Sequence, residues 1–192
     1  MKLQEFFGPT KEAYDLLFND FEPLQVFELE EFDNARKNGH YQMFYFFDSD
    51  KNRIGYAFCA YAGENTVLLD YIGISEEFRG KGLGSELLRQ LLDFLHPKGV
   101  LVEYEPEPPG GNPKNSRDRF FGKIGLIKQN VNYTLPETDG INVANTPYTI
   151  CYRSPDGKNI QLGAAKLREM FGEYTEKVLS ISGAMPTIED VI

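Results

Sequence analysis

The sequence predicts a mixed α/β domain: a mostly antiparallel sheet with one parallel strand pair and helices on both faces. Three observations predict it. Apolar runs with strand character follow one another through short turns between Tyr41 and Ile74. A leucine ladder at helical spacing comes next, formed by Leu83, Leu87, Leu88, Leu91, Leu92 and Leu95. A further strand-like run, Val100–Tyr104, succeeds it, and a strand, a helix and a strand in that order make a parallel crossover.

Thr10–Phe18 reads as a short helix capped by Thr10, with Tyr14, Leu17 and Phe18 on one face. Leu29–Asn38 reads as a second helix stopped by Gly39. Tyr41–Phe47, Ile54–Tyr61 and Thr66–Ile74 read as strands. The turns at Asn52-Arg53 and Gly63-Glu64-Asn65 join them into an antiparallel meander. The leucine helix starts after Gly82 and ends at Pro97 and Gly99. Beyond Val100–Tyr104, Glu105–Pro113 reads as a Pro/Gly-rich loop and Asn115–Ile124 as a helix. Ile127–Tyr133 and Thr146–Tyr152 read as strands joined by a polar loop, Leu135–Asn145. Gln161–Leu179 is an amphipathic helix whose stripe is Leu167, Met170, Phe171, Tyr174 and Val178, and Ser180–Ile192 reads as a loosely held tail.

Composition removes several classes of function. The chain has 192 residues, which favours one domain. Hydrophobic residues are 41% and aromatics 14%, which excludes a disordered chain. Lys and Arg total 20 against 29 Asp and Glu, so no nucleic-acid partner is expected. A phosphate site built from backbone amides remains open to an acidic protein. Cys59 and Cys151 lie in apolar runs and read as buried thiols. Two cysteines cannot frame a disulfide scaffold or a structural zinc site. His40 and His96 stand alone, so no metal is expected. No apolar run nears the ~20 residues of a membrane span. Met1–Glu5 lacks a signal-peptide layout, so a cytoplasmic location is expected.

The stretch from Leu68 to Ser85 carries the chemistry. A strand leads through Ser75-Glu76-Glu77-Phe78 into Arg79-Gly80-Lys81-Gly82-Leu83-Gly84-Ser85 and then into the leucine helix. Glycines on alternate positions let a ligand approach the backbone. They precede a helix start, where about four N–H groups lack partners and the dipole is positive. The product is a cradle for phosphate or pyrophosphate. A Walker A loop is not matched, because Ser75 stands where its first glycine belongs and Gly82 follows the lysine. A dinucleotide fingerprint is not matched either: Ser85 replaces the third glycine and five residues separate strand from glycines.

Arg79-Gly80-Lys81-Gly82-Leu83-Gly84 resembles the R/Q-x-x-G-x-G/A pyrophosphate loop of the GCN5-related N-acetyltransferase (GNAT) superfamily. Two further motifs agree in order and spacing. Leu101-Val102-Glu103-Tyr104 resembles the family's L-x-L-E-V strand, and Arg117-Asp118-Arg119-Phe120-Phe121-Gly122-Lys123-Ile124-Gly125-Leu126 its R-x-x-F-Y-x-x-x-G-F helix. The resemblance covers roughly Thr10–Tyr152. It implies an acetyltransferase domain over residues 1–158, with 159–192 as a helical extension on or beside it. It also implies that the parallel strands splay and that acetyl-CoA lies between them. The main chain of Ile72, Gly73 and Ile74 would then hold the pantetheine arm. The amides of Arg79, Gly80, Lys81, Gly82, Leu83, Gly84 and Ser85 would hold the pyrophosphate, with charge from Arg79 and Lys81.

The implied reaction is acetyl transfer to a primary amine, with a small molecule as the expected acceptor and a peptide N-terminus second. Glu103 is the first candidate for the base, with Asp70 and Glu105 behind it, and Asp70 is expected to share a strand face with Ile72. The backbone N–H of Ile74 is a candidate oxyanion donor. One departure stands out: the family's tyrosine proton donor is Phe121 here. Tyr104, Tyr133 and Tyr71 are the replacements to consider. The same departure supports an alternative reading, a CoA-binding sensor or interaction module without transfer. The helix at Gln161–Leu179 either covers this domain's own sheet or meets a partner, and a homodimer is compatible with it.

Overall fold

The computed structural model of the chain describes residues 1–21, 25–26, 28–61, 65–106, 117–138, 143–177 and 186–191. In chain order its first half contains β1 (Lys2–Glu5), α1 (Thr10–Leu17), α2 (Leu29–Lys37), β2 (Tyr41–Phe47), β3 (Arg53–Tyr61), β4 (Thr66–Ile74) and α3 (Leu83–Leu95). The second half contains β5 (Gly99–Tyr104), α4 (Arg117–Gly122), β6 (Ile127–Lys128), β7 (Val131–Thr138), β8 (Val143–Arg153), α5 (Ala164–Lys177) and β9 (Thr187–Asp190). The strands lie in the order β1-β2-β3-β4-β5-β8-β7-β9, with β6 paired to β8. Among these pairs β4–β5 alone is parallel, and α3 is its crossover. None of the described helices is long and apolar enough to cross a membrane.

Both faces of the sheet are covered, which explains the aromatic run of β2. Tyr41, Met43 and Tyr45 face one side, beneath Ala13 and Leu17 of α1, Phe32 and Ala35 of α2, and Leu167, Met170, Phe171 and Tyr174 of α5. Phe44 and Phe46 face the other, beneath Leu87, Leu88, Leu91, Leu92 and Leu95 of α3 and Phe121 of α4. A strand buried on both faces needs no polar alternation. Each buried leucine of α3 contributes roughly 1.5–3 kcal/mol of transfer free energy. Cys59 and Cys151 are buried free thiols.

Four local expectations change. Thr10 does not cap α1: the N-cap is Pro9, and Thr10 Oγ1 instead donates to Asp33 Oδ1 on α2 at 2.7 Å. The strand expected over 127–133 is broken at Gln129-Asn130. The buried Gln129 amide binds the carbonyls of Ile127 and Ile160 and accepts from the Leu162 N–H, so the segment before α5 is stitched into the break. The expected loop 135–145 is largely paired backbone, because β7 and β8 run on as a hairpin to Thr138↔Val143. Its polar composition hid this, since ladder bonds do not depend on side-chain polarity. The tail is held as well: Thr187–Asp190 pairs antiparallel with Val131–Thr134, and Ile188 is buried. Residues 107–116, which include most of the expected Pro/Gly loop, and residues 63–64 and 178–185 lie outside the described residues.

Candidate active site

Asp70 and Glu103 stand where two parallel strands part. β4 and β5 are paired from Thr66↔Gly99 to Leu69↔Val102, and the next residue on each strand is the carboxylate. The cause lies on the other edge of β4. Cys59 pairs with Leu69 and Phe58 with Tyr71, which leaves Asp70 as the extra residue of a β-bulge. A bulge bends its strand and increases the local twist, which accounts for the end of pairing with β5. It also resets the alternation of faces. Asp70 therefore does not share a face with Ile72, contrary to the simple parity of a strand. Its Oδ2 accepts from the Tyr41 hydroxyl at 2.7 Å, on the side of α1, α2 and α5. Ile72 and Ile74 pack on the α3 side.

Glu103 lies on the same side as Asp70, since Leu101 two residues before it belongs to that cluster. Tyr133 of β7 donates its hydroxyl to Glu103 Oε2. Withdrawal from solvent pushes the Glu103 carboxyl up to about 7, against the pull of the Tyr133 hydrogen bond. It pushes Asp70 up to about 8; the hydrogen bonds of Tyr41 and Tyr174 oppose this and the charge of Glu103 adds to it. Both carboxylates can thus take a proton near neutral pH, which an ordinary carboxylate with pKa about 4 does poorly. Burial pushes the hydroxyls of Tyr41, Tyr133 and Tyr174 far up, so all three stay neutral.

Tyr104 is not part of this group. It points to the opposite face of β5, stacks on Phe121 with ring centroids 5.1 Å apart, and donates to Asp118 Oδ1 at 2.7 Å. Of the tyrosines considered from sequence, Tyr133 reaches a carboxylate of the pair. Tyr71 instead donates to the Gln25 carbonyl at 2.8 Å. Gln25 in turn donates through Nε2 to Glu105 Oε1 at 2.6 Å, so the chain between α1 and α2 bridges the diverging ends of β4 and β5. Sequence reasoning missed Asp20, Gln25 and Tyr174, because they lie far along the chain from every motif.

The vacated edge of β4 follows from one hydrogen bond. The Ser75 N–H donates to the Ile54 carbonyl at 3.0 Å, toward β3. Alternate residues turn their peptide groups to opposite edges, so the N–H and C=O of Ile72 and Ile74 point to the side that β5 has left. An extended chain can add there. The Ile74 carbonyl is already engaged by Arg79 Nε at 2.9 Å. Gly73 turns toward β3, and its missing Cβ has a steric reason. A Cβ there would stand 2.5 Å from Tyr56 Cζ and 2.6 Å from Asp20 Oδ2.

Past a single 3-10 turn at Glu76–Phe78, Gly80 and Gly82 take φ of +74° and +76°, and Gly82 is the N-cap of α3. The space where their Cβ atoms would stand is open. Among the described residues, the amides of Gly80, Lys81 and Gly82 meet no acceptor within the protein. Those of Leu83, Gly84 and Ser85 are first-turn amides, which have no intrahelical partner. Arg79 behaves differently from its neighbours. Its amide donates to the Glu76 carbonyl at 3.2 Å, and its guanidinium forms an ion pair with Asp20. The cradle is therefore Gly80–Ser85, and Arg79 buttresses it. Lys81 is exposed, with Nζ 5.3 Å above the Phe78 ring. A Cβ on Gly84 would meet the Phe120 ring at 3.4 Å, an ordinary contact, so α4 packs beside the start of α3. Among the described residues no cluster of three metal-ligating side chains occurs.

A glycine loop beside an open strand edge is a fit for a diphosphate carrying an extended arm, and known proteins share the fold. A spermidine N-acetyltransferase from Vibrio cholerae, solved with CoA and spermine, superposes with a TM-score of 0.60 at 18% identity, covering 81% of this chain and 96% of that one. A dodecameric form of that enzyme in an intermediate state gives 0.58 at 18% identity, with 81% and 94% covered. At this identity the likeness establishes the fold. No curated protein matches the chain. Residues 10–106, which hold the bulged strand, the glycine loop, α3 and both carboxylates, match the acetyltransferase (GNAT) family, and the chain belongs to that family.

Proposed function

We propose that the chain transfers an acetyl group from acetyl-CoA to a primary amine of a small molecule, with Glu103 as the base. The observation that carries this reading is the placement of Glu103 and Asp70, with raised proton affinity, at the parting of β4 and β5. Bound acetyl-CoA supplies the activated thioester. The amides of Gly80–Ser85 hold its diphosphate, and the open edge at Ile72 and Ile74 takes its arm. The Ile74 N–H is the donor on that edge nearest the loop, which suits it to stabilise developing negative charge on an oxygen. Glu103 accepts the proton that an ammonium group must lose before its nitrogen can attack. Tyr133, hydrogen-bonded to Glu103, is a proton donor and acceptor in line with it. The structural neighbours are spermidine acetyltransferases, one holding spermine, which supports an aliphatic amine over a peptide N-terminus.

Release of free thiol from acetyl-CoA in the presence of a primary amine panel tests the reading. Amine-dependent thiol release supports it, and tight CoA binding without release on any amine overturns it. That second outcome is the sensor reading, favoured by one observation: Phe121 lies buried against Tyr104 and brings no hydroxyl where the family places a tyrosine.

A further inference from the structure

The hydroxyl that binds Glu103 comes from Tyr133, outside the residues 10–106 that match the family. Tyr133 sits in β7 between two strands, opposite Tyr148 of β8 on one edge and Ile188 of β9 on the other. Its side chain is 2% exposed, and its ring packs on Phe171 of α5 with centroids 5.3 Å apart. A phenylalanine would fill that space equally well, so packing does not account for the hydroxyl. Its donation to Glu103 Oε2 does. The two elements that press on Tyr133 are also joined to each other. Asp190 of β9 accepts from the Ala164 N–H at the start of α5 at 3.0 Å, and Arg168 of α5 donates to the Ile188 carbonyl. β9 thus ties α5 down over the ring whose hydroxyl reaches the carboxylate.

We propose that Tyr133 is a positioning residue for Glu103, held in place by the C-terminal pair of α5 and β9. A glutamate side chain has three rotatable bonds, and a hydroxyl fixed in a sheet settles where Oε2 lies. The same hydrogen bond favours the ionised carboxylate, against the burial that raises it. The other titratable groups near enough to act on Glu103 or Tyr133 are Asp70 of β4, Tyr174 of α5 and Tyr148 of β8. Glu105, just past β5, is engaged by Gln25. All of these stay in place when Tyr133 is replaced. The inference rests on the acetyltransferase reading for Glu103 as the base, but its test reads the carboxyl directly.

The test is a carbon NMR titration of the full chain labelled at its glutamate carboxyls, with the Glu103 signal identified by its loss in Glu103→Gln. Wild-type Glu103 is expected to titrate at about 7. Tyr133→Phe keeps the ring and its packing, and the titration is expected to move up by about one to two pH units, the worth of one hydrogen bond to a charged group. The break in kcat/KM should move with it: a loss of about tenfold or more at about pH 6, largely recovered at about pH 9.5. Asp190→Ala removes the cap of α5 and should move the Glu103 titration the same way by less, whereas Asp190→Asn, which still accepts from Ala164, should restore it. An unmoved Glu103 titration in Tyr133→Phe would overturn the proposal. A lower melting temperature in Asp190→Ala with the wild-type titration would overturn the part given to α5 and β9. If the titration moves in Tyr133→Phe while Glu103→Gln keeps full activity, the base assignment fails and the positioning of the carboxyl stands.

Discussion

Arg79 and Asp20 are joined by an ion pair that ties the start of the glycine loop to the chain leaving α1. Asp20 also accepts from the Tyr56 hydroxyl at 2.6 Å, and Arg79 Nε holds the Ile74 carbonyl. One arginine therefore fixes the loop, the end of β4 and the lip of the cleft in a single geometry. Its side chain is half exposed, so the pair's direct stability contribution is small. The expected effect is on preorganisation. Asp20→Asn should weaken acetyl-CoA binding about threefold, because ordering the loop then falls to the binding step. Isothermal titration checks this; an unchanged dissociation constant would show that the loop holds its shape without the pair.

Gly82 tests the cradle itself. Gly82→Val places a branched side chain in open space over the loop, where a phosphate must come close. Acetyl-CoA binding should weaken at least tenfold, roughly the loss of one strong hydrogen bond or more. Strain at positive φ, about 1–2 kcal/mol, is a confounding effect. Gly39→Val separates the two. Gly39 has φ of +73° and equally open surroundings, and it terminates α2 away from the cleft. That variant should lose comparable thermal stability and retain wild-type affinity. Parallel losses of affinity in both variants would mean that strain, and not the cradle, is being measured.

Glu103→Gln keeps the size of the side chain and its hydrogen bond to Tyr133, and removes the proton acceptor. A drop in kcat of about 10²–10³ is expected, within the usual range for a general base, with acetyl-CoA affinity unchanged. The carboxyl is raised to about 7, so it is the unprotonated base only above that pH. In wild type, log kcat/KM should therefore climb with pH and level off above about 7, and the climb should vanish in Glu103→Gln. A variant with the full pH profile would move the base to another residue.

How much of this was legible in the sequence depends on distance along the chain. β2, β4 and α3 fall on their expected residues because turns and leucine spacing are local signals. The positive-φ glycines are local as well, and Gly82 stands at the start of α3 as expected. The bulge at Asp70 has no local signature. It is a one-residue mismatch between two strands, and it alone decides which face the carboxylate takes. Arg79 was read as a charge for the cofactor because Asp20, 59 residues earlier, is invisible to a motif. Tyr174 was read as one more member of an apolar stripe. Leu167, Met170, Phe171 and Tyr174 of that stripe are buried, and the signal within it was the choice of tyrosine at a position where leucine would fill the core without a buried hydroxyl.

Asp70→Asn separates the electrostatics of the pair from its catalysis. In the folded chain Asp70 titrates near 8, against about 4 when unfolded. Between those values the native state holds a proton that the unfolded state has released, so ionising Asp70 destabilises the fold progressively as pH rises through the window. Asparagine mimics the protonated form, and its amide oxygen can still accept from Tyr41. The melting temperatures of variant and wild type should therefore nearly agree at about pH 4 and diverge by about pH 9, with the variant higher by roughly 10 °C or more. Glu103 ionises below Asp70, and burial rather than the charge of Asp70 raises it, so the break in kcat/KM assigned to Glu103 should stay near 7 in the variant. Calorimetric melts at the two pH values and a rate profile from pH 5 to 9 read both effects. A stability gap independent of pH would mean that Asp70 titrates as an ordinary carboxylate, and a break that falls well below 7 in the variant would mean that Asp70 is already charged while Glu103 titrates.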